Sequence, residues 1–333
     1  MRERINPFES RLHVKEQYES QLAMLETTDL LETFPDGNQG IRGIDGQEYL
    51  APTLAEINHR MVEHRETLET KTKQGFQRII LVPFGLPLAT LIEKYRAAIQ
   101  RHFDDRKLFY TKADAHDQNE ELAPITEINA DGPLFVWDEY QNADQAEIDP
   151  KTGRVSPPKL VYHPKEFSAN HGGETKQEII KVNGGWRILL LEDMPNIPKA
   201  GKAKTTAGRT QIDAQGTQIK QYMEAGKYTP NSIEYLNALT AESSNPSSPY
   251  FEEQGMTPED QIIYALTHLE AENQVIDDWQ GHGKISWQIG AYFPVSRYVP
   301  IADWDRGGRQ AYLNVYDHDY RDDRCGLRSA VGV

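Results

Sequence analysis

Apolar residues in the first fifty positions recur at helical spacing. Val14, Tyr18, Leu22 and Leu25 fall on one side of a helix, and Phe34-Pro35-Asp36-Gly37 breaks the run. Thr53 and Glu56 predict a capping box ahead of Leu54, Ile57, Met61 and Leu68, a narrow apolar stripe on a very polar helix. That stripe either packs against its own domain or meets a partner helix. Residues 78–82 are a short β-prone run. After Pro83 and Pro87 comes a helix with Leu88, Leu91, Ile92, Tyr95, Ile99 and Phe103 on one side. Residues 104–132 are polar and loop-like, and 133–137 and 159–162 are expected as strands flanking another loop.

From about residue 184 the pattern shifts. Residues 186–191 predict a buried strand, followed by a polar loop to about 228. Thr229-Pro230 opens a short helix with Ile233, Leu236 and Leu239. Thr257-Pro258-Glu259-Asp260 is a strong helix start, with a cap, a proline at the first position and acids in the first turn. The helix it opens buries Ile262, Ile263, Leu266 and Leu269. Residues 287–293, 311–316 and 327–333 are each compatible with a strand. The expected fold is α+β. Residues 1–183 form an N-terminal helical and α/β module, and 184–333 form a C-terminal unit of short mixed strands with two helices. No internal repeat is visible.

Composition narrows the function. The 333 residues carry a formal charge of -15, which argues against a nucleic-acid groove, because phosphate binding needs clustered Lys and Arg. The one basic stretch, 199–209, is broken by glycine and threonine and reads as a solvated loop. A single cysteine, Cys325, rules out an intrachain disulfide or a cysteine-based zinc site. Residues 1–16 lack an apolar signal core and no apolar run reaches membrane length, so a cytoplasmic start is the default expectation. Gly-x-Ser-x-Gly, the phosphate-cradling glycine loop and His-Glu-x-x-His are all missing. His163 and His171 bracket Lys165 and Glu166, and His116 precedes Asp117; these are expected as surface residues. No cofactor and no catalytic residue is expected.

Residues 303–325 read DWDRGGRQAYLNVYDHDYRDDRC. Of these 23 positions 18 are Asp, Arg, Gly, Tyr, Asn, His or Cys, and none is Glu or Lys, although both are common earlier in the chain. An ordinary solvated face would use all four charged types. Tyrosine offers a large rigid contact, Asp and Asn hydrogen-bond readily, and Arg makes forked bonds or stacks on rings. Ala311, Leu313 and Val315 alternate with Tyr312, Asn314 and Tyr316, so a strand would bury the first three and display the second three. Gly307, Gly308 and the run 317–325 would form loops beside it.

The tract is followed by Gly326-Leu327-Arg328-Ser329-Ala330-Val331, which resembles the Gly-Phe-Arg type of ending in C-type-lectin-like domains, with Leu327 in place of the usual aromatic. Together with the bias in 303–325, the chain resembles the variable proteins of diversity-generating retroelements. In that family, adenine-directed mutation of Asn codons yields Asn, Asp, Tyr, His, Ser, Gly, Arg or Cys, but neither Lys nor Glu. The resemblance implies a C-type-lectin-like fold over 184–333, a variable tract at 303–325 and a mounting module before it. It implies that Asp303, Asp305, Arg306, Gly308, Tyr312, Asn314, Tyr316, Asp317, His318, Asp319, Asp322, Asp323, Arg324 and Cys325 are exposed ligand contacts. Trp304, Leu313, Val315, Gly326 and Leu327 would be the scaffold, and Tyr312, Tyr316 and Tyr320 the energetic anchors.

The expected protein is therefore a binder of a protein or cell-surface ligand and not an enzyme. Two alternatives share the fold class. A calcium-dependent lectin lacks its Glu-Pro-Asn or Gln-Pro-Asp triplet here, and Asp303-Trp304-Asp305 only partly echoes Trp-Asn-Asp. A formylglycine-generating type of enzyme works through cysteines, of which this chain has one. Asp317-His318-Asp319 could be drawn as a metal cluster, but diversification accounts for all three residues.

Overall fold

The computed structural model describes residues 12–113, 117–197 and 230–333. The basic stretch 199–209, His116 and Thr229 lie outside the described residues.

Helix α1, Val14–Thr27, is anchored by Gln21, whose buried amide accepts from the backbone N–H of Leu81 and donates to Thr267. A small antiparallel sheet follows: β1 (Glu32–Thr33), β2 (Gln39–Arg42) and β3 (Glu48–Leu50). Its turns use Gly37 and Gly46 at φ of 85° and 77°, which L side chains rarely adopt. The expected stripe is carried by two helices, α2 (Leu54–Glu63) and α3 (Arg65–Lys73), parted at His64. The Thr53–Glu56 capping box is present, and Ile57, Met61 and Leu68 are buried in the main core, so the stripe packs against its own protein.

Strand β4 (Phe76–Val82) and helix α4 (Leu88–Asp104) follow as the periodicity predicts. Next come β5 (Leu134–Val136), the short hairpin β6 (Glu147–Ile148) and β7 (Val155–Ser156), and β8 (Val161–Tyr162). Helix α5 (Lys176–Asn183), capped by Thr175, leads to β9 (Arg187–Glu192). Helix α6 (Ser232–Ser243) is capped by Asn231, whose side chain accepts from the N–H of Glu234; the start therefore lies two residues beyond Thr229. After β10 (Glu253–Gly255), helix α7 (Pro258–Glu272) begins at the Thr257 cap. The remaining strands are β11 (Asp278–Trp279), β12 (Ile285–Trp287), β13 (Ala291–Tyr292), β14 (Tyr298–Asp305), β15 (Gln310–Asp317), β16 (Cys325–Leu327) and β17 (Ser329–Gly332).

These elements make an α+β fold with mixed sheets. One antiparallel sheet runs β10-β17-β9-β4. The larger sheet runs β16-β12-β14-β15-β5, with β11 beside β14. In it β14 pairs antiparallel with β12 and β15, whereas β16, β11 and β5 join in parallel. Both sheets take strands from either side of residue 183: β4 pairs with β9, and β5 with β15. Helix α7 packs against α4 and β4, and all its residues from Pro258 to Leu269 are buried.

Burial extends to the two acids in the first turn of α7. Glu259 receives hydrogen bonds from Lys176 (2.7 Å) and Tyr162 (2.6 Å), and Asp260 pairs with Arg187 at 3.0 Å. Lys176 also reaches Asp144 at 2.5 Å and the Leu86 carbonyl at 2.9 Å. A solvated helix start is thus replaced by a buried ionic clamp on three segments. Among the described residues no helix is long and apolar enough to cross a membrane.

Candidate functional site

The register of β14 and β15 sorts the biased tract into two faces. Asp303 lies opposite Tyr312, Ile301 opposite Asn314, Val299 opposite Tyr316 and Asp305 opposite Gln310. Side chains alternate across a pleated strand, so these positions share one face. The intervening Ala302, Trp304, Ala311, Leu313 and Val315 point the other way into the main core. Tyr312, Asn314 and Tyr316 are half-buried between the fully buried Ala311, Leu313 and Val315, as the alternation predicts. The glycine pair lies in the tight turn between β14 and β15.

One half of that shared face is covered. Tyr235, Leu236 and Leu239 of α6 join Trp287, Val299, Ile301, Cys325 and Leu327 in a second core. The other half carries Asp303, Asp305, Tyr312 and Asn314. Phe135 of β5 lies opposite Tyr312 in the parallel register, with ring centroids 5.0 Å apart, and is itself 38% exposed. At the border Tyr316 packs edge-on against Trp287 (5.8 Å) and tilts against Tyr320 (4.5 Å). A side chain at Gly308 would meet the Tyr312 hydroxyl at 2.7 Å, so the small residue leaves room for that ring.

Of the fourteen expected contacts, Asp317, Asp319, Asp323 and Arg324 are exposed, seven are half-buried and three are buried. Cys325 opens β16 beside Ile285 and is fully buried; burial pushes its thiol well above the ordinary range. His318 is 4% exposed, stacked against Tyr292 and held by Arg297. Asp303 is 9% exposed and lies inside β14, which is flanked by β11 and β12 on one edge and β15 on the other. The scaffold residues Trp304, Leu313, Val315, Gly326 and Leu327 are all buried.

All four arginines of the tract already have partners. Arg306 forks onto Asp278 (2.8 and 2.5 Å) and lies 4.2 Å from the Tyr110 ring centroid. Arg309 pairs with Glu127, and Arg321 with Glu234, each at 2.6 Å. Arg324 grips Asp322 through Nε at 2.7 Å and stacks over Trp279 at 5.1 Å. Burial raises the Asp322 carboxyl, but the hydrogen bonds and charge of Arg324 outweigh it and leave the group below the ordinary carboxylate range. Five other acids, Asp303, Asp305, Asp317, Asp319 and Asp323, have no Lys or Arg ion pair among the described residues.

Asp317, His318 and Asp319 place potential ligand atoms within 4.8 Å of one another. Their surroundings do not suit a cation. Arg297 directs its Nη2 at His318 Nε2 (2.8 Å), and guanidinium can only donate, so Nε2 is the acceptor and the ring proton sits on Nδ1. That nitrogen faces Asp317 at 3.2 Å. Nε2 is thus taken up by Arg297, Nδ1 lies beside Asp317 without a hydrogen bond, and a fixed positive charge adjoins the ring.

Elsewhere, His171 Nδ1 accepts from the Gly173 N–H. His163 is half-buried, not a free surface residue, and burial holds its imidazole down to about 4. Phe135, Trp279 and Tyr110 belong to the site without belonging to the tract. The strand pattern at 133–137 was the only sequence signal for any of them. No family model, curated protein or solved structure matches the chain.

Proposed function

We propose that this is a receptor-like binding protein that recognises a protein partner through the open half of the β14–β15 face and the loop 317–324. The reading includes a C-type-lectin-like arrangement of the C-terminal strands and a tract diversified by a retroelement. The observation that supports it best is the register of β14 and β15. It gathers Asp305, Tyr312, Asn314 and Tyr316 with Phe135 on one face and sends Trp304, Leu313 and Val315 into the core. Side chains on such a face can change with little effect on the packing beneath. Aromatic rings among polar groups on a shallow surface suit protein recognition better than capture of a small molecule in a deep pocket.

The test is an exchange restricted to the outward positions Asp305, Tyr312, Asn314, Tyr316, Asp317, Asp319 and Asp323, replaced by another mixture of Tyr, Asn, Ser and Asp. Partner choice in a displayed-protein screen should change while the urea midpoint stays nearly constant. Unchanged partner choice would sink the binding role. The diversification claim has its own test: a nearby near-copy of the DNA encoding 303–331, differing mainly at adenines, beside a reverse transcriptase gene.

A further inference from the structure

The free charge on the open face has one sign. Every tract arginine is already bound to an acid of this chain, so none is available to a ligand without breaking an existing pair. The acids are in surplus. Among them Asp303 is distinctive, because it is 9% exposed and neither a hydrogen bond nor an ion pair reaches its carboxylate among the described residues. Burying a carboxylate without a partner is costly, and natural folds usually satisfy such groups.

Its surroundings are built from rings and acids. Tyr312 stands directly across the strand pair, and Asp305 lies two residues along the same face. Trp279 pairs with Asp305 on the neighbouring strand. The Tyr316 hydroxyl and the Cys325 thiol both feel the Asp303 charge. Arg324 is near enough to act on Asp303 electrostatically, yet its guanidinium is committed to Asp322 and Trp279. Burial first, then the charges of Asp305 and Asp277, push the Asp303 carboxyl well above the ordinary range.

We propose that Asp303 is the floor of a cation pit on this face, and that the partner of this tract inserts an arginine or lysine side chain there. The incoming charge supplies the counter-ion that the fold withholds. The flanking Tyr312 and Trp279 rings suit the stem and the cationic head of such a side chain. The inference rests on the binding role proposed above and names the chemistry of the ligand group.

The experiment uses the full chain labelled with ¹³C at aspartate carboxyls, with the Asp303 resonance assigned from Asp303→Asn. Nα-acetyl-arginine amide and Nα-acetyl-lysine amide are titrated in, with Nα-acetyl-citrulline amide as the neutral isostere. The two cations should move the Asp303 signal saturably and citrulline should not. In Asp303→Asn the remaining shifts should report binding at least about tenfold weaker, as expected on losing a charge-assisted contact. Asp149→Asn, in the exposed turn between β6 and β7 and outside the binding face, should bind like the parent. A citrulline response equal to that of arginine, no saturable shift, or undiminished binding in Asp303→Asn would each overturn the pit. If the exchange of outward residues still redirects partner choice, the face survives that outcome and only its cationic ligand is lost.

Discussion

Arg328 closes a two-pronged salt bridge on Asp277, with Nη1 2.7 Å from Oδ2 and Nη2 2.9 Å from Oδ1, and both side chains are almost wholly buried. The same guanidinium donates to the carbonyls of Met194 and Pro195, and Asp277 also accepts from Gln261 and the Ile197 N–H. One arginine thus ties β17 to the end of β9 and to the approach to β11. Arg328→Met should destabilise the protein by about 3–5 kcal/mol, because Asp277 is left charged and enclosed. Arg328→Lys should recover only part of that loss, since an ammonium cannot reproduce the fork. Urea unfolding followed by tryptophan fluorescence measures both.

Lys176 carries a similar burden, with Asp144 and Glu259 on one ammonium and the Phe84 ring centroid 5.3 Å away. Lys176→Met should cost about 3–5 kcal/mol through the two stranded carboxylates. Adding Asp144→Asn and Glu259→Gln should return a large part of it. A single variant as stable as the parent in urea would show that the clamp contributes nothing net.

His268 gives the fold an acid sensitivity. Burial first, and the Arg78 charge second, hold its imidazole down to about 4, against the ordinary 6.5. The unfolded chain therefore takes up the proton first. The stability this residue confers is complete above about pH 6.5 and is lost as pH falls from there through about 4. His268→Gln should flatten the stability profile across that window, by up to about 1.4 kcal/mol per pH unit. Urea midpoints taken from about pH 7 to about pH 4 give the slope.

Asp303 has the opposite sign. Its folded carboxyl holds a proton to higher pH than the unfolded one, so it subtracts stability as pH rises above the unfolded value. Asp303→Asn should raise the urea midpoint at about pH 7 and leave it unchanged at about pH 3. Stabilisation combined with weaker cation binding is the signature of a residue kept for recognition. Equal midpoints at both pH values would show that the carboxyl is not strained.

What the sequence revealed follows the range of the forces involved. The Thr53 and Thr257 caps, the helix at 88–104 and the two-residue period of 311–316 are local, and each stands where the pattern puts it. Strand β14 was harder to read, because Pro300, Asp303 and Asp305 interrupt any apolar pattern although most of the strand is buried. The burial of Asp303, His318 and Cys325 depends on β11, β12, α6 and Arg297, which no window around the tract contains. Phe135 reaches the face only through parallel pairing with a strand from the far end of the sequence.

Strand β17 lies between β9 and β10, downstream of the tract in the chain yet interior to its sheet. A ribosome must therefore translate the whole of 303–325 before that sheet can close. A frameshift or stop within the tract would leave a gap between β9 and β10 and an unshielded apolar core. The fold itself would act as a check on the reading frame, completed only in chains translated through residues 303–325 and on to β17.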